Sequence, residues 1–231
     1  MLPVFMGLLA CIPTFPVPVG DPEKSSIDPD ISGVWLTAEE AVFYVFEPYD
    51  KRTWLVTAFR IEQGDGECAA AADGDASTDA AADESPGLSH YDEVFAGIAE
   101  FGTECFKVER APSAVKAWRT KLGGEWFMTW EDKGTFDAET EFERGEWLVF
   151  RIDKSVPGQL RLHYIDLDHE AWNALEDVDE GDVTRQQVER VLRKHAHDPD
   201  FYDEDLVAEF DRVAPEHYEL IEEFMDQGMI E

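Results

Sequence analysis

Basic residues are scarce in this chain. Its 231 residues include 19 Lys and Arg against 52 Asp and Glu, a formal net charge of −33. Nucleic acid is thereby excluded as a partner class, because phosphate binding needs clustered cations. Cysteine is almost as rare: Cys11, Cys68 and Cys105 are too few for a disulfide framework, and no CxxC pair or Cys/His spacing suggests zinc. Apolar runs are short. Leu2 to Ala10 falls far below the length that crosses a bilayer. No GxSxG elbow, P-loop or dinucleotide fingerprint occurs, so the sequence supplies no catalytic residue and calls for no cofactor.

Apolar and aromatic residues are present in good supply. Hydrophobic side chains make up 44% of the chain and aromatic ones 12%, enough for a folded core. The excess of carboxylates repels itself, and molar salt screens that repulsion to about 3 Å. The composition resembles that of proteins from salt-rich surroundings.

The chain divides by composition. Residues 1–11 are an apolar segment ending at Cys11, and residues 12–31 carry prolines at 13, 16, 18, 22 and 29. Those prolines deny a helix and predict a semi-extended tether. Residues 32–167 read as a β-rich domain. Ala41 to Phe46 and Trp54 to Ile61 are aromatic and β-branched and predict a hairpin. Residues 63–89, dominated by Ala, Asp and Gly without a basic residue, predict a disordered insertion. Further strands are expected at Glu93 to Phe101, Glu104 to Glu109, Val115 to Trp118, Glu125 to Trp130, Glu146 to Ile152 and Gln159 to Ile165. Cys68 and Cys105 then fall at opposite ends of the sheet. That gap is about 25 Å against a bridgeable Cα separation below about 7 Å, which argues against a disulfide between them.

Residues 168–231 predict a helical tail packed on the sheet. Asp168 to Glu176 is a short helix candidate. Thr184 and Gln187 form a capping box ahead of Val188, Val191, Leu192 and His195, one helical face. Two more helices are expected, on the stripes Leu206, Val207, Phe210, Val213 and Tyr218, Ile221, Phe224, Met225.

Two clusters invite a metal reading. His195, His197, Asp198, Asp200 and Asp203 offer donors, but residues two apart diverge on a helix, so a solvated helix end is the better reading. Asp177 to Asp182 starts like a calcium loop, yet its glycine falls at position five and Val188 stands at position twelve, which rejects an EF-hand. No metal is expected. Paired carboxylates for hydrolysis cannot be chosen among 52 acids. The seven tryptophans, Trp118, Trp126, Trp130 and Trp147 among them, are candidates for lining a ligand cavity, or for plain core.

Leu8-Leu9-Ala10-Cys11 resembles the lipobox of bacterial lipoproteins, in which the cysteine thiol is acylated. Gly33-x-Trp35 resembles the GxW of lipocalin-like barrels. The stretches Glu93 to Val108, Trp147 to Trp172 and Val183 to Phe201 are similar to parts of uncharacterised bacterial lipocalin-like lipoproteins. The resemblance covers about half the chain. It implies a mainly β fold with C-terminal helices, an antiparallel lipocalin-like barrel or strongly curved sheet. It implies a cell-envelope location on the periplasmic or extracellular face, with the membrane reached through a lipid on Cys11. It brings no catalytic residue, and implies at most a small apolar molecule held in the barrel. The competing expectations are a surface interaction module that uses the acidic helical tail to meet a protein partner and, with only carboxylates behind it, a hydrolase.

Overall fold

The computed structural model describes residues 14–37, 42–63, 95, 98, 105–131, 147–175, 178 and 182–227. Cys11, Cys68 and the acidic insertion, apart from residue 63, lie outside the described residues.

Eight strands close into one antiparallel barrel in sequence order. They are β1 (Gly33–Thr37), β2 (Val42–Pro48), β3 (Trp54–Gln63), β4 (Phe106–Leu122), β5 (Glu125–Glu131), β6 (Trp147–Asp153), β7 (Gln159–Ile165) and β8 (Tyr202–Arg212). Closure is made by β1 against β8, with Trp35 opposite Arg212 and Thr37 opposite Phe210. A closed barrel leaves no strand edge open to another chain. The antiparallel barrel foreseen from the sequence is the observed architecture, and of its two alternatives the closed one is present.

Alternation along the strands sorts the side chains. Every strand sends a residue into one interior cluster: Trp35, Phe46, Trp54, Ala117, Met128, Phe150, Leu160 and Phe210. Their neighbours face outward under two coverings. Phe127, Val149 and Ile165 pack beneath Val188, Val191 and Leu192 of helix α1 (Arg185–His195). Val34, Leu36, Phe43 and Phe59 pack with Val213 and with Ile221 of helix α2 (Tyr218–Gln227). The capping box of α1 is present, with Thr184 and Gln187 bonded reciprocally. Helix α1 ends over the β4–β5 turn, whose two residues Gly123 and Gly124 have φ of 61° and 100°. A Cβ on Gly123 would stand 2.5 Å from the carbonyl oxygen of Arg193, so the turn needs glycine for conformation and for space.

Four expectations are corrected. The stripe Leu206 to Val213 is not a helix. It enters the closing strand β8, where Ala208 and Phe210 pack into the interior cluster and Glu209 opposes Arg161 on the outer face. The helical tail from 168 onward is therefore interrupted by a strand on which the barrel depends. Phe95 and Ile98, expected in a strand, are helical and pack outside the barrel. The strands expected at Glu104 to Glu109 and Val115 to Trp118 merge into the 17-residue β4.

The proline-rich stretch is the fourth. It is docked rather than free: Phe15, Val19 and Ile31 are buried. Phe15 exchanges two backbone hydrogen bonds with Trp147, at 2.8 and 3.1 Å. The carbonyl of Val19 accepts from the Trp118 indole and the Thr129 hydroxyl, both at 2.8 Å. Proline bars a regular helix or ladder over most of this strap, Pro22–Lys24 forming one 3-10 turn, and its carbonyls and apolar side chains bind it to the wall.

Candidate functional site: the barrel lumen and its two ends

The lower end of the barrel is where β1 begins and β8 ends, and the chain before β1 seals it. Asp28 forms ion pairs with Arg119 on β4 and with Lys154 beyond β6, the latter at 2.7 Å. Burial alone would raise the Asp28 carboxyl. The hydrogen bond from Lys154, the Asp30 backbone N–H and the charges of Arg119 and Lys154 outweigh it and hold the group below its ordinary 3.8. Ile31 is fully buried in the interior cluster. The Trp35 indole donates to the Ile31 carbonyl at 2.7 Å, and the Trp54 indole donates to the Ser32 hydroxyl at 3.0 Å. Arg212 donates to the carbonyls of Asp30 and Ser32, at 3.1 and 2.9 Å, and lies 5.4 Å over the Trp35 ring.

Gly33 and Trp35, singled out in the sequence, thus stand at this seal. Gly33 has φ of 127°, and a Cβ there would come within 3.1 Å of the Tyr218 hydroxyl and 3.3 Å of the Arg212 guanidinium. Arg212 lay inside the stretch read as helical, so its approach to Trp35 was not visible in the pattern.

Among the described interior residues, partial exposure persists at the lower end only at Ile27 and Trp126, whereas more of the upper interior keeps it. Tyr44, Trp130, Leu148, Tyr164 and Ala208 belong to the interior cluster but keep partial exposure. Their rings form a chain around the wall. Tyr44 lies 5.2 Å from Phe210 and 6.2 Å from Trp130, Trp130 lies 5.1 Å from Phe150, and Phe150 lies 4.9 Å from Tyr164. Burial pushes the Tyr164 phenol up from 10.0. At the rim, a depression of about 360 Å³ is lined by Asp166, Asp168, Asp200, Tyr202, Asp203 and Glu204.

The tryptophans divide accordingly. Trp130 lines the upper lumen. Trp126 also belongs to the interior cluster, but lies under the Arg119 guanidinium, 4.2 Å away. Trp118 faces the strap, and Trp147 pairs with Phe15.

The histidines at the end of α1 separate. His197 is exposed, with Nδ1 3.1 Å from Glu125. His195 Nδ1 lies 3.5 Å from Asp198, which His169 Nε2 also approaches, at 3.8 Å. His169 was absent from the sequence-based cluster because it precedes α1 by a whole segment of chain. The three side chains have the spacing of a metal site. Nδ1 of His169, however, accepts the Ala171 N–H at 3.1 Å, which leaves the proton on Nε2 and no lone pair there for a cation. The group reads as a clasp in which the two imidazoles share the Asp198 carboxylate.

Cys105 is disulfide-bonded, to a partner outside the described residues. No helix among the described residues is long and apolar enough to cross a membrane.

Together these features define a class: a closed up-and-down barrel sealed at one end and lined by accessible aromatic side chains toward the other. No family model, no curated protein and no solved structure matches the chain.

Proposed function

We propose that this protein is a non-enzymatic lipoprotein of the cell envelope, with a lipocalin-like barrel that takes a small apolar ligand into its upper lumen. The observation that carries the ligand reading is the asymmetry of the interior. Its lower half is sealed by the Asp28–Arg119–Lys154 ion pairs and Ile31, whereas Tyr44, Trp130, Leu148 and Tyr164 stay partly accessible above. Small-molecule sites are concave, mostly apolar and set by a few polar groups, and barrel mouths are among their usual places. A neutral fluorescent hydrocarbon amine, N-phenyl-1-naphthylamine, is expected to bind saturably at one per chain. Binding that never saturates would argue for surface adsorption and against a lumen site.

The anchor rests on Cys11 and the Leu8-Leu9-Ala10 that precedes it. The disulfide at Cys105 supports the same location, since such bonds persist outside the reducing cytosol. Acylation of the Cys11 thiol leaves Cys68 as the partner for Cys105, because the chain holds three cysteines. Strand β3 pairs directly with β4, Gln63 opposite Phe106, so the chain leaves one and enters the other at the same end of the sheet, which removes the separation expected from the sequence. Peptide mass spectrometry of the membrane fraction is expected to find an acylated Cys11 at a new N-terminus and a peptide joining Cys68 to Cys105. An intact Met1 with a free Cys11, or a Cys11–Cys105 bridge, would end the anchor reading.

A further inference from the structure

Five of the seven indoles can be compared for what their N–H groups meet. Those of Trp35, Trp54, Trp118 and Trp172 donate to protein oxygens, at 2.7, 3.0, 2.8 and 2.9 Å. Trp130 Nε1 is buried and has no hydrogen-bond partner among the described residues. The ring nearest to it, Phe150, meets the indole at 65° and offers only a weak π acceptor. The Tyr164 ring lies on the other side of Phe150, 4.9 Å from it. One orphaned donor therefore lies beside Phe150, among interior side chains that keep partial exposure. A buried donor without an acceptor is costly, and the chain avoids that cost at its other buried indoles.

We infer that the upper lumen is specific for an uncharged, planar lipophile carrying a carbonyl oxygen, which accepts from Trp130 Nε1–H while its apolar body lies against Phe150 and Tyr44. This rests on the lumen-ligand reading above and narrows it. A carbonyl oxygen supplies that acceptor without carrying a charge. A carboxylate could accept as well, but its charge is opposed twice. The rim carries Asp166, Asp168, Asp200, Asp203 and Glu204, and the whole chain carries −33. The flanking wall is aromatic, which favours a flat ligand through offset and edge contacts.

The test is a titration calorimetry series on the full chain at one fixed salt concentration, with three probes of one shape. They are 2-acetylnaphthalene, its isosteric hydrocarbon 2-isopropenylnaphthalene, and 2-naphthoate. The ketone is expected to bind about tenfold more tightly than the hydrocarbon, the worth of one buried hydrogen bond, and the anion most weakly. Trp130→Phe should bring the ketone-to-hydrocarbon ratio near one. Equal binding of ketone and hydrocarbon by the unaltered protein, tightest binding of naphthoate, or a ratio unchanged in Trp130→Phe would overturn the inference and leave the lumen site standing. Failure of all three probes to bind would remove the lumen reading and this inference with it.

Discussion

Asp28 shows how one side chain can join distant parts of the barrel. Its carboxylate meets Arg119 from β4 and Lys154 from the β6–β7 turn, while Arg119 also donates to the Ser26 carbonyl at 2.8 Å. The chain before β1 is thus tied to β4 and to the β6–β7 turn, both far from it in sequence. Asp28 is mostly buried, so removing its charge leaves two cations facing a site that no longer compensates them. Asp28→Asn is expected to cost about 1–3 kcal/mol of stability at pH 7 in chemical denaturation. The pH dependence follows from the direction of the shift. The folded-state pKa lies below the unfolded 3.8, so the contribution is fully present above 3.8 and is lost as pH falls through the folded value. The gap between the two proteins should close in acid. A gap that persists well below that range would mean the substitution acts through packing rather than charge.

At the scale of elements, what the sequence revealed depended on how many neighbours each element needed. The hairpin of β2 and β3 was readable because its aromatic and β-branched runs flank a local turn, in which the Asp50 side chain accepts from the N–H groups of Arg52 and Thr53. Helix α1 was readable from its cap and its stripe. Strand β8 was not. Leu206, Val207, Phe210 and Val213 fit a helical period as well as an alternation, and the strand is fixed by β1 and β7, far away in sequence. With β8 misread, Phe210 and Arg212 could not be placed beside Tyr44 and Trp35. The upper lumen shared that fate. Trp130 stood out as an aromatic residue in a strand, but its grouping with Tyr44 and Tyr164 is a property of closure, which no local pattern encodes. The prolines before β1 were read as a helix-free, unattached tether, whereas the stretch is docked and Pro22 opens a short 3-10 helix, Pro22–Lys24. The residues that hold them, Thr129, Trp118 and Glu189, come from β5, β4 and α1.

The whole molecule combines a closed barrel with a surface that repels itself. The described cations are largely committed to particular carboxylates or carbonyls. Arg52 pairs with Glu23, Arg161 with Glu209, Arg193 with Glu189, and Arg185 donates to the Gly20 carbonyl. Even complete pairing of 19 cations would leave 33 of the 52 carboxylates unopposed. Two opposite effects of salt therefore compete. Added NaCl weakens exposed ion pairs, each worth about 0–1 kcal/mol, and it also screens repulsion among the surplus carboxylates. The second involves more charges and acts over a longer range when salt is low, where the screening length is about 30 Å at 0.01 M, comparable to the protein itself. The melting temperature is expected to rise steadily between 0.01 M and 1 M NaCl, most steeply at the low end. Asp28 supplies an internal control, because its partly buried pairs are screened less than exposed ones. The destabilisation caused by Asp28→Asn should change little across the same series while both melting temperatures climb. A melting temperature that is flat or falls with salt would show that the ion pairs, not the surplus carboxylates, dominate the electrostatics of this fold.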